Sequence, residues 1–167
     1  MTMTGLDRWY ACAKSQGARG LLDLLHPEVV FESPVVHTPQ RGRDITYKYL
    51  SSALKVLGGP TFAYVGEWRS QDGAVLEFVT EIDGTKINGV DIISFADDGR
   101  IKHFKVMVRP LKAINLLHRM MGEELAKTGG NSPRPVRRAC QESLMGVLDS
   151  RTGLRSVSGT DWIFAIL

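Results

Sequence analysis

The 167-residue chain predicts an α+β domain, with three helices leading into a curled antiparallel sheet and a further helix behind it. Two observations carry the prediction. Apart from one short extended segment, apolar residues recur with a helical period of about 3.6 as far as Leu57 and with a strand period of 2 from Thr61 to Val108. Within that second region, Asp83-Gly84 and Asp97-Asp98-Gly99 supply turn signals between apolar runs, because glycine takes positive φ without steric cost.

The first helix rests on Leu6, Trp9, Tyr10 and Ala13 at i, i+3, i+4 and i+7, with Thr4 and Asp7 in capping-box positions at its start. Leu21, Leu22, Leu24 and Leu25 make a short second helix that stops before Pro27, since a residue preceding proline is pushed out of the helical region. "VVFESPVVH", Val29 to His37, reads as the first strand. Ile45, Tyr49, Leu50, Ala53, Leu54 and Leu57 form the apolar face of a third helix, closed by Gly58-Gly59-Pro60 as a C-cap and stop. Phe62, Tyr64, Gly66 and Trp68 then share one face of a second strand. Ala74–Ile82, Lys86–Phe95 and Arg100–Val108 follow as hairpin-connected strands. A last amphipathic helix, with Leu111, Ile114, Leu117, Met121 and Leu125 on one face, is expected to fold back over the sheet or its open end.

Composition narrows the class of partner. There are 21 basic against 18 acidic side chains, spread along the chain without the basic stripe that tracks phosphates, so nucleic acid is not an expected partner. No apolar run approaches the roughly 20 residues of a spanning helix and no secretory leader pattern opens the chain, so no membrane association is expected and the expected location is cytoplasmic. Cys12 and Cys140 stand far apart without further ligands at metal-site spacing, which leaves no metal and no cofactor in the expectation. Residues 1–127 form the predicted domain. Residues 128–167, with five Arg, no Lys and the run "TGGNSPRPVRRACQ", read as a linker and appendage ending in the apolar "DWIFAIL".

Two segments resemble the nuclear-transport-factor-2-like superfamily, the cone-shaped α+β fold of ketosteroid isomerase and SnoaL-like polyketide cyclases. One is "LHPEVVFESPVVHTPQRGRDITYKYL" and the other "GVDIISFADDGRIKHFKVM", in order and at suitable spacing within residues 5–126. The resemblance implies three helices packed in the concave face of a curved mixed or antiparallel sheet. It also implies an apolar cavity inside the cone and a homodimer formed through the convex face. Carried over by position, the isomerase-type general base falls on Ser33, the helix-one tyrosine on Trp9 with Tyr10 beside it, and the neutral acid on Asp91.

The residues themselves support some of these roles. Asp91 shares a strand face with Ile87, Ile93 and Phe95, so its carboxyl is expected to be desolvated. Burial disfavours the charged form, which suits a protonated donor to a ligand oxygen. The competing reading pairs Asp91 with Arg109 or with a tyrosine for structural reasons. Ser33 lacks an evident base and fits a pocket-lining or turn hydroxyl better than a nucleophile. Strand alternation sends Glu32 to the opposite face and leaves His37, at the cavity mouth, as the candidate base. Trp9, Tyr10, Phe31, Tyr49, Phe62, Tyr64 and Trp68 would wall the cavity with Phe104, Val106 and Val108, or serve as plain core, while Arg109 beside Pro110 either turns inward toward an acid or serves helix capping or a salt bridge. The expected function is binding of a small, largely apolar molecule, with cofactor-free isomerase or cyclase chemistry on a carbonyl compound assigned to Asp91, Tyr10 and His37. A non-catalytic ligand-binding or dimerisation module is the alternative.

Overall fold

The structure, a computed structural model, describes residues 4–14 and 20–127. The appendage predicted for 128–167 lies outside the described residues. Helix α1 (Gly5–Lys14) and helix α2 (Leu21–Leu24) lead into β1 (Leu25–Glu32), followed by the two-residue strand β2 (Gln40–Arg41). Helix α3 (Arg43–Leu57), strands β3 (Ala63–Arg69), β4 (Gly73–Ile82), β5 (Thr85–Phe95) and β6 (Ile101–Arg109), and helix α4 (Leu111–Lys127) complete the order.

The curved six-stranded sheet runs β2-β1-β6-β5-β4-β3. It is mixed, because β1 pairs with β6 in parallel while every other pairing is antiparallel. Such a parallel pair needs a long crossover, and α3 with the β3–β5 meander supplies it. The β4–β5 hairpin turns on Asp83 and Gly84, at φ 49° and 69°, a two-residue loop between the paired Ile82 and Thr85. At Gly89 a side chain has no room. A Cβ there would stand 2.4 Å from Phe78 Cζ and 2.7 Å from the Met107 carbonyl, so the glycine lets the Phe78 ring lie flat on β5.

One face of the sheet is apolar and covered. Leu76, Phe78, Ile87, Ile93 and Phe104 are all at most 1% exposed there, and each such burial contributes about 1.5–3 kcal/mol relative to exposure. Leu6, Trp9 and Cys12 of α1, Leu21 and Leu24 of α2, and Tyr49 and Leu50 of α3 pack in the same core as Phe31, Leu76, Ile93 and Phe104. A second cluster joins Phe78 and Ile87 to Ala113 and Leu117 of α4, so the last helix folds back over part of the sheet as its amphipathic pattern predicts.

Several elements differ from the sequence expectation. The first strand begins at Leu25 and ends at Glu32, rather than spanning Val29 to His37. Its register against β6 shifts between Leu25 and Val30, which accommodates Pro27, a residue with no amide to donate to the ladder. On β3 the register shifts between Tyr64 and Gly66. Tyr64 pairs with buried Phe78, but Trp68 pairs with Val75, so the irregularity turns Trp68 to the outer face, 58% exposed, instead of leaving it beside Phe62 and Tyr64. On α4 the first contact comes from Ala113, and Leu111 is 71% exposed.

Candidate functional site

Asp91 is the buried carboxylate of the sheet. Its position on β5, between Ile87 and Ile93 on the inner face, makes it 6% exposed. The Tyr64 hydroxyl donates to Asp91 Oδ2 at 2.7 Å, and the Trp9 indole N–H donates to the Tyr64 oxygen at 3.0 Å. Three elements therefore converge on one chain of hydrogen bonds: α1 supplies the indole, β3 the phenol and β5 the acid. Burial raises the Asp91 pKa to about 7, against the lowering effect of the Tyr64 bond. Tyr64 is raised as well, first by burial and then by the charge of Asp91.

The two protonation states of Asp91 imply two hydrogen-bond arrangements. With Asp91 ionised, the phenol proton points inward to the carboxylate. With Asp91 neutral, its own O–H can donate to the Tyr64 oxygen, which releases the phenol proton toward any acceptor on the other side. Because the Asp91 pKa stands near neutrality, both states are populated there. The chemistry this permits is stabilisation of negative charge on a ligand oxygen by a preorganised neutral donor.

A cleft of about 440 Å³ lies between α1 and the turn from α3 into β3, lined by Tyr10, Ala13, Lys14, Gly58–Pro60, Phe62, Ala63 and Tyr64. Its volume is in the range of small-molecule sites. Aromatic contacts hold Tyr64 upright within it: its ring meets that of Phe62 edge-on at 5.1 Å and that of Tyr10 edge-on at 5.5 Å. Tyr64, one of the residues lining the cleft, is also the hydrogen-bond partner of Asp91.

Tyr10 is committed elsewhere. Its hydroxyl donates to Glu67 Oε2, and Glu67 also accepts from Arg69 Nε. Burial, followed by the bond to the Glu67 carboxylate, pushes the Tyr10 pKa up to about 12. Trp9 packs edge-on against Phe104 at 4.8 Å. Phe31, Tyr49 and Phe104 fill the core, with Phe31 5.6 Å from Tyr49 and 6.3 Å from Phe104, while Val106 and Val108 pack against the core clusters.

Ser33 serves the local backbone. Its Oγ accepts from the amides of Val35 at 3.1 Å and Val36 at 3.4 Å, the behaviour of a turn hydroxyl just past the end of β1. His37 is exposed in the segment that follows and is not among the residues lining the cleft. Glu32 lies on the outer side, where its two oxygens meet His103 Nε2 at 2.7 Å and Lys105 Nζ at 3.1 Å. Arg109 is exposed and pairs with Asn88, a register that puts it on the face opposite Asp91.

Two participants are missing from the sequence reading. Glu67 reaches Tyr10 only because of the irregularity at Tyr64–Gly66, which has no signature beyond Gly66 itself. Lys14 does have a signal: it stands four residues after Tyr10, on the same side of α1.

The comparisons with known proteins agree with this architecture. The model of the SnoaL-like domain family matches residues 6–104. A crystal structure of a steroid delta-isomerase from Pseudomonas aeruginosa is 36% identical, with 74% of this chain and 90% of that chain covered at a TM-score of 0.70. An uncharacterised protein with a cystatin-like fold from Silicibacter pomeroyi shares 23% identity over 75% of this chain and 87% of its own, at a TM-score of 0.69. A nuclear-transport-factor-2-like protein of unknown function from Mesorhizobium loti shares 20% identity over 64% and 88%, at a TM-score of 0.56. None of the curated proteins compared with the chain matches it. With more than half of its residues matched and an α+β core of the expected order, the chain belongs to the SnoaL-like domain family within the nuclear-transport-factor-2-like superfamily.

Proposed function

We propose that the cleft beside Tyr64 binds a small, largely apolar carbonyl compound and stabilises negative charge on its oxygen through Tyr64, with Asp91 behind it. The observation that carries this reading is the Trp9–Tyr64–Asp91 chain of hydrogen bonds, which ends in a buried acid with a pKa of about 7. A neutral acid behind a phenol is a donor that needs no reorganisation when an enolate-like oxygen forms. The likeness to a steroid delta-isomerase supports an isomerase-type reaction, in which a proton leaves one carbon and returns to another while the oxygen holds the charge.

The proton acceptor of such a reaction is the weaker half of the site. Ser33 is engaged by two amides, which favours the second reading, a pocket that binds and polarises a ketone with little turnover. The two readings separate in one experiment with acetophenone as probe. On binding near pH 6, its carbonyl stretch is expected to shift down, and Tyr64→Phe is expected to abolish the shift and weaken binding about fivefold, the loss of one hydrogen bond. An unchanged stretch in the variant would overturn the donor role of Tyr64. Accelerated exchange of the probe's methyl protons in deuterated buffer marks the catalytic reading, and its absence marks the binding one.

We also propose a homodimer through the outer face of the sheet. Val65, Trp68 and Met107 are 57–58% exposed there, more apolar surface than a lone sheet face tends to leave to water, and the Glu32–His103–Lys105 cluster supplies a polar border.

A further inference from the structure

We infer that the cleft is built for a ligand whose apolar body carries an anionic group, and that Lys14 is the residue selecting it. The inference rests on the cleft being the ligand site proposed above, and it adds the charge of the ligand. Among the described residues Lys14 brings the one formal charge to the lining; the others are three aromatic rings, two alanines and the Gly58-Gly59-Pro60 turn. A cation at the border of a cleft favours ligands of opposite charge over neutral ones of the same shape.

The local acids are already occupied. Asp7 shares with Lys14 a neighbouring hollow of about 490 Å³, but its Oδ2 accepts from the Thr4 amide at 3.0 Å and the Thr4 hydroxyl at 2.7 Å, the capping box of α1. Glu67 is held by Tyr10 and Arg69. Among the described residues no carboxylate forms an ion pair with Lys14. The C-terminal end of α3 also faces the cleft and carries partial negative charge. There the carbonyls of Leu54, Leu57 and Gly59 already accept from the amides of Gly58, Gly59 and Phe62.

The fold also sets the spacing. Lys14 lies four residues beyond Tyr10, about 6 Å further along the axis of α1 and on the same side. The Tyr10 ring meets that of Tyr64 at 5.5 Å. A ketone held at Tyr64 therefore reaches the ammonium group if several methylenes separate its carbonyl from its carboxylate. An ordinary helix-end lysine, placed only to complement the macrodipole, would show no such ligand preference.

Two probes of one shape test this: δ-benzoylvalerate, an aryl ketone with a distant carboxylate, and its uncharged methyl ester. Calorimetric titration of the full chain at low salt is expected to show the carboxylate binding about fivefold tighter than the ester, the upper end for an exposed ion pair. Lys14→Gln is expected to equalise the two, Lys14→Arg to keep the preference, and added salt to erode it. Equal affinities in the wild type, or a preference that survives Lys14→Gln, would overturn the role of Lys14 while leaving the cleft as the ketone site. Failure of both probes to bind would overturn the cleft itself, and with it this inference.

Discussion

Replacing Asp91 by asparagine isolates what the fold does to one carboxyl. The side chain is 6% exposed, and burial lifts its pKa from 3.8 to about 7. For a group whose folded pKa is raised, the stability contribution is full below the unfolded pKa and is lost as pH climbs toward the folded one. Asp91 therefore costs nothing at low pH and becomes progressively destabilising between pH 3.8 and about 7, above which the penalty is constant. A shift of that size amounts to about 4 kcal/mol at full ionisation, of which about 2–3 kcal/mol develops between roughly pH 5 and pH 8. Asparagine keeps an acceptor for the Tyr64 hydroxyl and does not titrate. Urea unfolding of both proteins at the two pH values is the assay, and the difference between them cancels every other titrating group. The wild type is expected to lose about 2–3 kcal/mol relative to Asp91→Asn on going to the higher pH. A difference that does not move with pH would refute the claim that Asp91 is held neutral by burial, and would remove the donor chemistry that depends on it.

Two further substitutions probe the scaffold. Gly89→Ala forces a methyl to within 2.4 Å of Phe78 Cζ and is expected to cost about 1–3 kcal/mol as overpacking, seen as a lowered Tm; an unchanged Tm would show that β5 and the ring move apart freely. Trp68→Glu puts a charge at a 58% exposed apolar position of the outer face and is expected to convert the proposed homodimer to monomer in sedimentation velocity. A wild-type chain that sediments as a monomer would refute the outer-face dimer.

Much of the architecture was legible because it rests on local rules. The period switch after α3 and the Asp83-Gly84 turn predict helices and hairpins that the structure contains within a few residues. β2 was missed because a two-residue strand has no periodicity to read; it exists only where Gln40 and Arg41 pair with Phe31 and Val30. Pro27 argues against a strand interior in sequence, so the predicted first strand starts later than the observed one, and only the pairing shows that the register shift absorbs the proline.

By itself the sequence determined which residues can be buried and, where a strand is regular, which face they occupy, since side-chain period follows from backbone geometry alone. That is why Asp91 was identifiable as an acid on an apolar face. Tertiary structure decided what Asp91 meets there: a phenol from a strand two positions away in the sheet, itself held by an indole from α1. It also decided that Trp68 leaves the inner face and that Lys14 borders the cleft beside Tyr64. The Asp91 network, the turn of Trp68 and the cleft depend on register shifts or on contacts between residues far apart in the chain, and no local pattern encodes either.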